Sequence, residues 1–219
     1  MSERPAAFTF YERGWIVRVQ PPADPTSQKV ILMLHGWTGD ENVMSVFGRK
    51  LPEYFWLISP RGPVKADPAG FGWLTGDSAK NAKYPDYADV TDDLNRQVEH
   101  WLDYLHISLS LISIIGFSQG GAMALSYLLR YPSHVDRVAC LAGFLPGSAE
   151  DALNPQSLSG KPIFIGHGTL DETIPVEQAQ SAVTVLRSAG AEVIFCQDEV
   201  GHKLGSDCYK GLEAFFSLS

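Results

Sequence analysis

Seven short strand-like runs, several of them nearly unbroken in Val, Ile, Leu and Phe, alternate along this chain with longer amphipathic segments. The runs are GWIVRVQ (14–20), KVILMLH (29–35), YFWLISP (54–60), SLISIIGF (110–117), VDRVACLAG (135–143), KPIFIGHG (161–168) and AEVIFCQ (191–197). A strand with one wetted face alternates apolar and polar residues. A continuous apolar run instead suits a strand of a parallel sheet covered on both faces. Between the runs lie helical patterns. In 88–106, Val90, Leu94, Val98, Trp101, Leu102 and Leu105 fall on one stripe, with carboxylates opposite. Residues 120–131, 176–188 and 206–217 also read as helices. Strands alternating with helices predict an α/β fold with a mostly parallel central sheet and helices on both faces. At 219 residues, one domain spanning 1–219 accounts for the chain and leaves no room for a separate lid domain.

Two stretches break the pattern. From Pro60 to Pro85 there is little periodicity, with several Gly and Pro residues and the aromatics Phe71, Trp73 and Tyr84. A second irregular stretch runs from Pro146 to Gly160. A loop as long as the first is usually functional in a compact domain.

The most informative local stretch is SIIGFSQGGAMAL, residues 113–125, where a strand pattern turns into a small-residue helix pattern at Ser118. Gly116, Ser118 and Gly120 satisfy G-x-S-x-G. In this setting the motif reads as a nucleophile elbow, a turn so tight that neither flanking position has room for a Cβ. The serine hydroxyl then projects above the sheet. The N–H of Gln119 and the positive end of the helix that starts there face a developing oxyanion. The bland alternative is an ordinary strand-to-helix turn with a capping serine.

A serine hydroxyl needs a base. In an elbow of this kind the partners follow the serine in the order Asp or Glu, then His. Of six histidines, only His167 and His202 follow Ser118 at a distance beyond its helix, His134 standing just past the end of that helix. No carboxylate-bearing strand end separates His167 from Ser118. His202, in the loop DEVGHKLG, is therefore the expected base. Asp171 sits just past a strand end in PIFIGHGTLDETIPV, where catalytic groups gather in open α/β sheets. It is the expected acid. Asp198 is the alternative, and an N-cap near Pro175 is the structural alternative for Asp171. The second oxyanion donor is expected in HGWTGDEN, from the N–H of Trp37 or Thr38. His35 precedes the nucleophile and is expected to hold that loop rather than act as a base.

Composition excludes several partners. With 17 basic and 25 acidic residues the net charge is −8, and no Lys/Arg cluster stands out, which argues against nucleic acid and against anionic membranes. No run of about 18 apolar residues and no secretory h-region occurs. The three cysteines, Cys140, Cys196 and Cys208, form no CxxC. Cys140 and Cys196 read as small buried hydrophobes. The expectation is a cytoplasmic, reducing compartment.

Together these residues resemble the α/β-hydrolase superfamily, and within it the phospholipase/carboxylesterase family that includes acyl-protein thioesterases. The resemblance rests on LHGWTGDE (34–41), SPRGPV (59–64), GFSQGGAMAL (116–125), GHGTLDETIPV (166–176) and GHKLG (201–205), in family order. It implies Ser118 as nucleophile, Asp171 as acid, His202 as base, and the Gln119 and Trp37 N–H groups as the oxyanion hole. It implies Trp73 as a wall of the acyl site, with Thr38 and Phe71 beside it. The implied activity is hydrolysis of small-molecule carboxylic esters or thioesters with short-to-medium acyl chains, through an acyl-enzyme, without metal or organic cofactor. A peptidase or lactonase with the same triad, and an inactive receptor on the same fold, are the alternatives. A homodimer using Phe215 and Phe216 is possible, although those residues suit the core of the last helix better.

Overall fold

The computed structural model describes residues 4–74, 82–108 and 111–217. Its strands in chain order are β1 (Phe8–Glu12), β2 (Trp15–Gln20), β3 (Lys29–Leu34), β4 (Phe55–Pro60), β5 (Val64–Lys65), β6 (Phe71–Gly72), β7 (Ile112–Phe117), β8 (Val135–Leu141), β9 (Pro162–Gly168) and β10 (Glu192–Asp198). The α-helices are α1 (Ser45–Gly48), α2 (Ala88–Tyr104), α3 (Gln119–Arg130), α4 (Val176–Ser188) and α5 (Ser206–Ser217). Eight strands form one sheet in the order β1-β2-β4-β3-β7-β8-β9-β10. β1 and β2 pair antiparallel, as do β2 and β4; the rest of the sheet is parallel. This is an α/β-hydrolase fold.

Burial explains the apolar runs. In β3, Val30, Leu32 and Leu34 face one core and Ile31 and Met33 the other. β7 divides the same way at Ile114 and Ile115, and β9 at Ile163 and Phe164. Helices α2, α3 and α4 cover the first face, while α1 and α5 cover the second. The α2 stripe buries Leu94, Val98, Trp101 and Leu102, each contributing about 1.5–3 kcal/mol of transfer free energy. Phe215 and Phe216 are core residues of α5, at 4% and 1% exposure.

Strand β1 is absent from the sequence expectation. Its residues are mostly exposed, so no apolar run marks it. The turn is the usable signal: Arg13 and Gly14, both at positive φ (48° and 88°), join Glu12 to Trp15 in a two-residue hairpin. The irregular 60–85 stretch contains the small β5–β6 hairpin and a short 3-10 turn at Tyr84–Tyr87. Residues 75–81 of that stretch lie outside the described residues, as does Ser110 at the start of the expected 110–117 strand.

The cysteine reading needs correction. Cys196 and Cys208 form a disulfide, and only Cys140 is free. The bond joins the end of β10 to the first turn of α5, with the two Cα atoms 5.5 Å apart, so the 199–205 loop is pinned at both ends. The bond also removes the basis on which cysteine usage pointed to a reducing compartment. Closing this 12-residue separation restricts the unfolded chain, worth about 3 kcal/mol on the chain-entropy model. We expect reductant to lower the urea unfolding free energy of the native protein by about that amount and to leave Cys196→Ser unaffected. Equal stability of the native protein in both redox states would contradict it.

Candidate active site

Ser118 lies between β7 and α3 with φ 55° and ψ −119°, a conformation that L-residues rarely adopt. The flanking glycines show why the turn closes. A Cβ on Gly116 would lie 2.0 Å from the Gly120 carbonyl oxygen, and one on Gly120 would lie 2.1 Å from the Leu34 carbonyl oxygen. The elbow thus presses α3 onto the end of β3 and turns the hydroxyl outward.

His202, in the pinned loop after β10, reaches that hydroxyl: Nε2 stands 3.0 Å from Ser118 Oγ. Its Nδ1–H donates to Asp171 Oδ2 at 2.7 Å. Three residues distant in sequence are therefore joined in one hydrogen-bonded chain, with the Phe117 ring packed against the imidazole at 5.2 Å. The Asp171 side chain is wholly buried. Burial alone would raise its carboxyl pKa. The N–H of Ile174, the His202 imidazole and the N–H of Thr173 outweigh that, and hold it below the ordinary value. Asp198, the alternative acid, is occupied elsewhere: its Oδ2 accepts the N–H of Cys208 at 3.0 Å and caps α5. Glu172 points to solvent.

His167, the other histidine well beyond the elbow, sits on the far side of the Asp171 turn in sequence but close to its carboxylate in space. It is buried, and its Nε2 lies 2.8 Å from the Ile174 carbonyl and 3.4 Å from Asp171 Oδ2, the same oxygen that His202 meets. Nothing in its sequence position signals this contact; it follows from the turn that brings Ile174 back over β9.

The loop after β3 meets the elbow. A Cβ on Gly36 would sit 3.1 Å from Ser118 Cβ, which places the next peptide, that of Trp37, beside Ser118. His35 holds this loop from below. Its Nδ1–H donates to the Gly36 carbonyl (2.7 Å), and its Nε2 accepts the Gly62 N–H (2.8 Å). Burial pushes its pKa below the ordinary imidazole value, outweighing the opposite pull of the Gly36 carbonyl, Asp40 and Glu41. It is a neutral strut. The Gln119 side chain is also committed: Oε1 accepts the Trp73 N–H (2.8 Å), and Nε2 donates to the Leu74 carbonyl. What Gln119 offers at the elbow is its backbone.

Trp73 is not a wall of the site. It is 1% exposed, and its indole N–H donates to the His35 carbonyl at 2.7 Å. Its ring packs near Trp15, 6.4 Å between centroids. A buried indole usually takes an internal acceptor, and the His35 carbonyl that serves here lets Trp73 brace the loop after β3 from the core side. Phe71 is half-buried beneath the Arg61 guanidinium (4.5 Å), and its N–H donates to the Gly39 carbonyl; it too braces the loop. Thr38 is exposed, at φ 66°, and borders a cavity of about 450 Å³ next to the elbow. The sequence did not reveal the other walls of this cavity, which come from Val43, Val46, Phe47, Phe117, Lys203 and Tyr209.

Among the described residues no group of three or more His, Cys, Asp or Glu side chains is placed to hold a metal, and no helix is long and apolar enough to cross a membrane. Cys140 is fully buried, and burial pushes its thiol up to about 12, so it offers no thiolate to compete with Ser118.

Acid stability follows from the lowered carboxylates. The Arg130 fork and the Tyr131 hydroxyl hold Asp92 well below 3.8, at about 2, despite some desolvation. Asp171 and Glu41 are also lowered, Glu41 chiefly by its hydrogen bonds to Arg61 at 2.6 and 2.8 Å. A folded pKa below the unfolded one means that stability is complete above the unfolded value and is lost as pH falls through the folded one. Unfolding free energy should therefore drop between about pH 4 and pH 2, and Asp92→Asn should flatten the slope. A flat profile there in the native protein would contradict the assignment.

Comparison with known proteins agrees with this architecture. The family model described as phospholipase/carboxylesterase matches residues 16–218. Carboxylesterase SOBER1 of Arabidopsis thaliana is 31% identical over 106 residues, which is 48% of this chain and 46% of that protein. The chain thus aligns with about half the length of the first of these curated relatives. Esterase YpfH of Escherichia coli is 25% identical over 192 residues, 85% of this chain and 80% of its own. The crystal structure of a carboxylesterase from Mesorhizobium loti superposes with a TM-score of 0.84 at 20% identity, covering 97% of this chain and 99% of that one.

Proposed function

The chain belongs to the phospholipase/carboxylesterase family, and from that premise we propose that it is a serine hydrolase of carboxylic esters or thioesters with short-to-medium acyl chains. The observation that carries this reading is the chain Ser118–His202–Asp171, with contacts of 3.0 and 2.7 Å. In the reaction His202 Nε2 takes the proton of Ser118 Oγ as the oxygen attacks the carbonyl carbon. The backbone N–H groups of Gln119 and Trp37 receive the oxyanion, each typically worth about 3 kcal/mol of barrier. Asp171 fixes the imidazole tautomer and stabilises its cation. His202 then protonates the leaving alkoxide or thiolate, whose bond to the acyl carbon breaks. Water, deprotonated by the same imidazole, releases the acid and restores Ser118.

The chemistry asks for no metal or organic cofactor. A set of p-nitrophenyl and thioester substrates from two to twelve carbons tests the substrate class. Turnover peaking at short to medium length on oxygen esters, sulfur esters or both supports the reading. Turnover of peptide substrates alone would overturn it.

A further inference from the structure

The cavity beside the elbow has an uneven chemistry. Trp37, Val43, Val46, Phe47, Phe117 and Leu204 make most of its wall apolar. Val43 and Val46 are about half exposed, at 48% and 49%, so this apolar surface is open to a ligand rather than covered by the fold. The Tyr209 hydroxyl fixes the far wall by donating to the Val46 carbonyl at 2.5 Å. Among the described residues lining the cavity, Lys203 alone carries a formal charge. It directly follows His202, and no described carboxylate lies within salt-bridge distance of its ammonium. In a chain of net charge −8 this is a local positive point at the mouth of an apolar chamber. A volume of about 450 Å³ is at the small end for ligand sites and suits a short chain.

We propose that this cavity receives one arm of the ester, and that the arm is a short hydrocarbon chain ending in a carboxylate or similar anion paired with Lys203. The inference rests on the esterase reading above and narrows its substrate. Apolar walls select the methylene chain, and the exposed Lys203 ammonium at the cavity mouth rewards an anionic end over a neutral one by about three- to fivefold, the scale of a solvent-exposed ion pair.

Two matched ester pairs test it. The first is mono-p-nitrophenyl glutarate against p-nitrophenyl pentanoate, which places the charge on the acyl arm. The second is a carboxyalkyl butyrate against the alkyl butyrate, which places it on the alcohol arm. The native protein should favour the anionic member of one pair in kcat/KM. That ratio should fall about three- to fivefold in Lys203→Gln, invert in Lys203→Glu and recover in Lys203→Arg. The pair that responds identifies the arm. No anionic preference in either pair, or a preference indifferent to Lys203, overturns the proposal. Binding to Ser118→Ala, followed by the Trp37 environment in fluorescence, separates the two readings. Monomethyl adipate should bind more tightly than methyl hexanoate, and Lys203→Gln should erase the difference. If that difference appears while the native protein turns over no ester, the cavity stands and the esterase reading falls. If turnover is intact and the difference is absent, the reverse holds.

Discussion

Ser118→Ala should lower kcat/KM for a p-nitrophenyl ester by at least about 10⁴-fold, while the protein stays folded and the oxyanion donors remain in place. The size of the loss follows from the connectivity. Oγ of Ser118 contacts His202 Nε2 at 3.0 Å and projects from the turn, whereas the Cys140 thiol is buried and protonated. The same position should show a trade between stability and function. Its φ of 55° with ψ of −119° is strained for a residue with a Cβ. Ser118→Gly should therefore be inactive and more stable than the native protein by about 1 kcal/mol, read from chemical unfolding. A Gly variant that is both inactive and less stable would mean that the elbow is not strained.

Asp171→Asn should cost about 10⁴-fold in kcat with little change in KM. The reason lies in the turn at 171–174. Both the Thr173 and Ile174 N–H groups donate to Oδ1 at 2.9 Å, so the amide oxygen of an asparagine must take that place. Its NH₂ then faces His202 Nδ1, where the carboxylate oxygen stood. A donor there forces Nδ1 to accept, which moves the ring proton to Nε2 and points an N–H at Ser118 Oγ. The imidazole can no longer take the serine proton. Nitrogen NMR of His202 should show the tautomer switch alongside the lost turnover. A variant that keeps its activity, or keeps the Nδ1–H tautomer, would remove Asp171 from its role.

Much of the fold and of the candidate site is legible in the amino-acid sequence. Strands buried on both faces leave continuous apolar runs, so β3, β7 and β9 were visible, and the α2 stripe gave its helix. The elbow was legible because backbone crowding dictates glycine at 116 and 120. His202 and Asp171 could be placed by their order after the serine and their positions past strand ends. What the sequence hid depends on tertiary direction. A tryptophan in a loop looks like a pocket wall until the fold turns its indole inward to the His35 carbonyl. Cys196 sits in an apolar run and reads as core until β10 and α5 meet at its sulfur. Exposed β1 carries no burial pattern, only its Arg13–Gly14 turn. The cavity walls come from five separated parts of the chain, and no spacing rule joins Val46 to Lys203.

The account depends most on an activated hydroxyl at residue 118, and a fluorophosphonate followed by peptide mass spectrometry reads that directly. We expect one phosphonylated residue, Ser118, with labelling strongly slowed in His202→Ala and absent in Ser118→Ala. An adduct on another residue, or a protein that hydrolyses esters yet resists the probe, would contradict it.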